Sequence, residues 1–170
     1  MPENSPISQF EPEVRSLLPG TYDLLLSSNL TVHPKVERII LHGSRGLAGG
    51  FRPDSDLDLS LLVDPPELES VDRESYFKEI FETTFLQWHS PIELDLAIIF
   101  DTRQCGLKCF DLPDWSASFC AIGGVDCFGL YKVQKGFHGL IENAGIQVKR
   151  MYPCMRIWQK MAQTNLNSSD

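Results

Sequence analysis

At 170 residues, 42% of them hydrophobic and 22% charged, the chain has the length of one domain with a real core and no signature of disorder. A formal net charge of −8 and a sequence pI near 4.9 disfavour a protein that grips a long nucleic-acid backbone, which requires Lys and Arg contacts to phosphates. No apolar run reaches the length of a membrane span, and Met1-Pro2-Glu3-Asn4-Ser5-Pro6 has neither the basic start nor the apolar stretch of an export signal, so no membrane association and a cytoplasmic location are expected.

In chain order, Phe10 to Leu18 and Thr21 to Leu30 read as two short helices broken by Pro19-Gly20. Val36 to Leu41 is expected as a buried strand that runs directly into Gly43-Ser44. Gly43 has no Cβ, so the turn can be tight and its amides can approach a ligand. Ser44, as the N-cap of a short helix, would then provide free amides and a hydroxyl for an anion. Arg45 and Arg52 flank this turn and suit phosphate oxygens, with surface ion pairs as the alternative. His42, at the strand end, reads as a packed residue.

From Ser55 to Val63 polar and apolar residues alternate, which predicts a strand with one covered and one open face, the latter bearing Asp56, Asp58 and Ser60. Two carboxylates about 7 Å apart along a strand repel unless a positive charge lies near them. A hard divalent cation such as Mg²⁺, with its preference for oxygen, supplies that charge. Phe77, Ile80, Phe81, Thr84, Phe85 and Trp88 have helical spacing within Arg73 to Trp88. Pro91 to Phe100 begins as another alternating strand, with Glu93 and Asp95 on one face. A crossover helix between these strands can set them side by side, bringing Asp95 near Asp56 and Asp58.

The order Gly-Ser, Asp-x-Asp, third acidic strand resembles the DNA polymerase β-like nucleotidyltransferase superfamily, in particular its minimal nucleotidyltransferase branch. The resemblance covers residues 36–100 and implies an α/β (α+β) fold, a mixed sheet flanked by helices. It implies that Gly43, Ser44 and Arg45 bind the nucleotide phosphates. It also implies that Asp56, Asp58 and Asp95 are catalytic and hold two Mg²⁺ ions, with Glu93 as the fallback third acid. The loop departs from the family's Gly-Ser-Arg-Ala-Arg-Gly by lacking the second arginine and carrying one extra residue.

The rest of the chain is expected to be N-terminal helices over about 10–30, an irregular insertion over 101–136 with a strand at Phe128 to Val133, a C-terminal helix and strand over about 137–162, and a frayed tail at 163–170. Phe137 to Val148 resembles the helix, glycine and final strand that close many minimal members. Cys105, Cys109, Cys120 and Cys127 lie close in sequence and admit a zinc site, set against buried reduced thiols. Lys132, Lys135, Lys149 and Arg150 form a late basic cluster, read as a solvated face or as groups for phosphate.

The expected activity is Mg²⁺-dependent transfer of a nucleoside monophosphate, AMP from ATP, to a hydroxyl of a small molecule or a protein, with release of pyrophosphate. Little chain remains for an acceptor domain, so a partner protein or a homodimer mate is expected to complete that wall. The alternative is a non-catalytic module of the same fold that docks to a partner, as an antitoxin docks to a toxin.

Overall fold

The computed structural model describes residues 6–63, 72–101, 128–141 and 153–160. These residues form an α+β fold: a six-stranded mixed sheet with helices packed on one face. Among them, no helix is long and apolar enough to cross a membrane.

Two short helices come first, α1 at Pro12–Leu17 and α2 at Pro19–Ser27. Each has a proline in its first turn, where a missing N–H costs nothing because that group would have no helical partner. Pro19-Gly20 therefore opens α2 and does not break the chain between helices as the sequence suggested. The break is one residue earlier, at Leu18 (φ −136°, ψ 65°), because a proline excludes the residue before it from the helical region. The second helix ends as Ser28 Oγ donates to Leu25 O at 2.8 Å and Asn29 takes φ 62°, a left-handed value that asparagine tolerates.

The strands are β1 at Val36–His42, β2 at Leu57–Val63, β3 at Leu94–Asp101, β4 at Phe128–Lys132, β5 at Gly139–Ile141 and β6 at Met155–Gln159, arranged in the order β5-β4-β3-β2-β1-β6. Only β2 and β3 are parallel; every other neighbouring pair is antiparallel. The parallel pair requires a crossover, supplied by α3 at Arg73–Phe85. Phe77, Ile80, Phe81 and Thr84 are its buried residues, the i, i+3, i+4, i+7 stripe expected from the sequence. Phe77 stacks on Phe100 of β3 with ring centroids 4.4 Å apart, and Thr84 Oγ1 donates to Thr31 O at 2.7 Å.

The core lies between the helices and one face of the sheet. Ile39, Leu41, Leu57, Leu59, Leu61, Leu96, Ile98 and Phe100 join Val14, Leu25, Phe77 and Phe81 in one buried cluster. Period-2 alternation sends their neighbours His42, Asp58, Ser60 and Asp95 to the opposite face. That face was expected to be open, yet Ile40, Ser60, Leu62 and Ile99 on it are at most 2% exposed. Its end near Asp58 and Asp95 is partly accessible. The alternation had already failed at Leu61-Leu62-Val63, where a continuous apolar run marks a strand covered on both sides.

At residues 139–141 the chain forms strand β5, in place of the helix expected to begin at Phe137; β6 then pairs with the far edge of β1. The four cysteines offered as a zinc set, Lys149, Arg150 and the tail lie outside the described residues. Cys154 is half-buried.

Candidate functional site

Parallel pairing brings the acids together. β2 and β3 are in register with Asp58 directly beside Asp95, and β1 places His42 on the other flank of Asp58. Strands lie about 4.8 Å apart, so Asp58 and Asp95 are closer than the roughly 7 Å that separates alternate positions along one strand. The two carboxyls lie close enough that each shifts the ionisation of the other. Asp56 sits just before β2 and is also partly buried. Glu93, the fallback third acid, is exposed and precedes β3, while its backbone O accepts from Leu57 N at 2.9 Å.

The electrostatics follow from this crowding. Burial, the hydrogen bond to Asp95 and the charges of Asp95 and Asp56 push the Asp58 carboxyl up to about 7, against an opposing pull from Lys132. Burial also raises Asp95, but hydrogen bonds from Lys132 and Asp58 outweigh it and hold this carboxyl below the usual range. Asp58 is thus the member of the pair that holds a proton more readily, and Asp95 the one that stays ionised. Burial lowers His42 to about 4, so it is a neutral imidazole, with Nε2 3.0 Å from Ser60 Oγ.

Two ammonium groups complete the arrangement. Lys132 Nζ of β4 lies 2.7 Å from Asp95 Oδ1, both side chains being nearly enclosed at 15% and 13% exposure. Lys135 Nζ lies 2.7 Å from Asp56 Oδ2, with the lysine 55% exposed. These two members of the late basic cluster therefore reach the acids. The partnership was invisible in the sequence because it depends on β4 pairing with β3 across residues 102–127. One signal was present: clustered carboxylates demand positive charge, and these lysines were available to provide it.

Gln134 fixes the geometry of this side of the site. Its side-chain amide acts as a piece of strand, accepting from Leu96 N at 2.9 Å and donating to Leu94 O at 3.0 Å. Asp95 lies between the two anchored residues.

The Gly-Ser turn lies against the same acids. Gly43 has φ +79°, and a Cβ there would fall on Asp58 Oδ2. Glycine is required at this position both for its conformation and for the close approach. Beyond it, Ser44 enters a pair of turns closed by Gly46 N to Gly43 O at 3.0 Å and Gly49 N to Gly46 O at 3.2 Å, in place of the helix expected there. Arg45 is used to lace the loop: Nε donates to Ser55 O at 2.9 Å, its terminal nitrogen donates to Arg52 O at 3.2 Å, and the guanidinium stacks 4.5 Å from the Phe51 ring. Its backbone O accepts from Thr21 Oγ1 at 2.8 Å, tying the loop to α2. Arg52 pairs at 3.7 Å with Asp54, both well exposed.

The donor set suits a hard cation, since Asp58 and Asp95 present oxygens side by side and Mg²⁺ commonly takes one or two protein carboxylates. Among the described residues, however, no three His, Cys, Asp or Glu side chains converge on one ion position. Asp56 faces Lys135 and Asp95 faces Lys132. Comparison of the chain with protein-family models, with curated proteins and with solved structures gave no match in any of the three. The functional reading therefore rests on the geometry of these side chains.

Proposed function

We propose that this chain is a Mg²⁺-dependent nucleotidyltransferase of the polymerase β-like type, acting on ATP and a hydroxyl acceptor. The observation that carries this reading is the in-register Asp58–Asp95 pair on adjacent parallel strands, packed against the backbone of a Gly-Ser turn. Neighbouring buried carboxylates are unfavourable in an empty site and become favourable when a divalent ion is held between them.

Asp58 and Asp95 would hold Mg²⁺, with Asp56 joining once released from Lys135, and the same acids would serve a second ion. The metal, when bound, would neutralise charge on the phosphates and on the attacking and leaving oxygens. The turn at Gly43 and Ser44 would offer backbone amides and a hydroxyl to the terminal phosphates. In the reaction the acceptor oxygen forms a bond to the α-phosphorus and the bond from that phosphorus to the bridging oxygen of the β-phosphate breaks. Pyrophosphate leaves, and Asp95 would help to take the hydroxyl proton, as a carboxylate that Lys132 keeps ionised and therefore only weakly basic. The acceptor is a small molecule or a protein, with a partner protein or a second copy of the chain walling its site.

A second reading has its own support. Lys132 and Lys135 already neutralise Asp95 and Asp56, so the acids can persist without metal in a module of this fold that works by docking to a partner. Calorimetry with a non-transferable ATP analogue and Mg²⁺ separates the two, using native chain and the Asp56→Asn/Asp58→Asn double variant. Metal-dependent binding that disappears in the variant is expected; a folded native chain that binds no nucleotide would contradict the enzyme reading and favour docking.

A further inference from the structure

We infer that Lys135 is a displaceable internal cation that makes metal entry depend on nucleotide: its ammonium holds the Asp56 carboxylate until a polyphosphate draws it away. The inference rests on the proposed reading of the acids as metal ligands and concerns the order in which the site fills.

The lysine is placed by construction. It occupies the loop between β4 and β5 with φ +58°, followed by Gly136 at +88°. A left-handed conformation is uncommon for a residue with a side chain and persists where surrounding contacts impose it. Those contacts are present: the Gln134 side chain clips the loop to the backbone of β3 on both sides of Asp95, and Phe137 N donates to Gln134 O at 3.1 Å to close the turn. The loop therefore delivers the ammonium to Asp56 Oδ2 at 2.7 Å.

The two lysine–carboxylate pairs differ in a way that assigns them different roles. Lys132–Asp95 is nearly enclosed, and Lys132 also lies 5.3 Å from the Phe137 ring centroid. Removing one partner of so enclosed a pair leaves an uncompensated charge, so this pair stays in place on Asp95 Oδ1 and leaves that residue its other oxygen, Oδ2, as a metal ligand. Lys135 is more than half exposed, with a flexible four-carbon stem, and can swing into solvent or onto a ligand without unburying anything. An ammonium at a carboxylate oxygen and a divalent ion on the same oxygen exclude one another by space and by charge. A nucleoside triphosphate arrives with several negative charges and offers the ammonium a better partner than Asp56. Metal and nucleotide then enter together, and each strengthens the binding of the other.

The test is a Mn²⁺ titration followed by electron paramagnetic resonance of the free ion. It uses the full chain as native, Lys135→Gln and Lys135→Arg, with and without a non-transferable ATP analogue. Without nucleotide, native and Lys135→Arg should bind Mn²⁺ weakly and Lys135→Gln about tenfold more tightly. Adding the analogue should tighten native binding by about tenfold or more and change Lys135→Gln much less. Equal nucleotide-free affinity in native and Lys135→Gln, with nucleotide-dependent binding intact in both, would overturn this inference and leave the proposed function standing. Absence of Mn²⁺ binding in every arm would overturn both.

Discussion

At the scale of single residues, Gly43 and Asp58 carry the site. Gly43→Ala would place a Cβ on Asp58 Oδ2 and impose a side chain at φ +79°. The left-handed conformation alone costs about 1–2 kcal/mol, so denaturant unfolding should show a loss of about 2 kcal/mol or more and nucleotide binding should fall with it. Asp58 also shapes the pH dependence of the chelated protein. Its carboxyl is raised from 3.8 to about 7, so its contribution is full below pH 3.8 and is lost as pH rises through 7. His42 is lowered from 6.5 to about 4, and its contribution is present above pH 6.5 and lost as pH falls through 4. The two oppose between about pH 4 and 6.5; from there to about pH 8 the slope from Asp58 remains. Unfolding in EDTA should show native protein losing roughly 1 kcal/mol between about pH 6.5 and 8, and Asp58→Asn nearly flat there. A native profile as flat as the variant's would refute the raised Asp58 carboxyl.

At the scale of elements, α3 and the β4–β5 loop hold the acids in register from opposite sides. Phe77 is fully buried and stacked on Phe100, so Phe77→Ala should cost about 3–5 kcal/mol, seen as an earlier urea midpoint with unchanged slope. Phe100 also covers Gly129 of β4, where a Cβ would collide with its ring. Gln134→Ala removes the two bonds that continue the sheet beyond β4. Hydrogen exchange at the Leu96 amide should accelerate in this variant while the Leu59 amide in mid-sheet keeps its protection; unchanged exchange at Leu96 would show that the side chain does not support β3. The elements most legible in the sequence were those with clean periodicity: β1, β2, β3 and α3 appear within a few residues of their expected spans. The turn after Gly43 was read as a helix start because serine is a good N-cap, but Gly46, Gly49 and the Arg45 lacing favour consecutive turns instead. β5 was missed because a short edge strand is specified by its neighbours more than by its own pattern.

At the scale of the whole molecule, the mixed sheet does one thing for function: a single parallel pair, made possible by one crossover helix, puts acids from distant stretches side by side. The positions of Asp58 and Asp95 were readable because period-2 alternation fixes the face and a helical crossover fixes adjacency. The lysines opposite them were not, since no local rule ties residues 132 and 135 to Asp95 and Asp56. Arg45 shows the reverse case: a loop arginine beside a candidate phosphate turn has carbonyls of its own loop to satisfy, and the structure commits it there. The central claim is that metal and nucleotide meet at the mouth formed by β1, β2 and β3. The most direct measurement is amide NMR line broadening by Mn²⁺ with a non-transferable ATP analogue. Selective loss of the Gly43, Ser44, Asp56, Asp58 and Asp95 signals is expected; broadening centred elsewhere, or none at saturating analogue, would place nucleotide and metal away from these acids or show that neither binds.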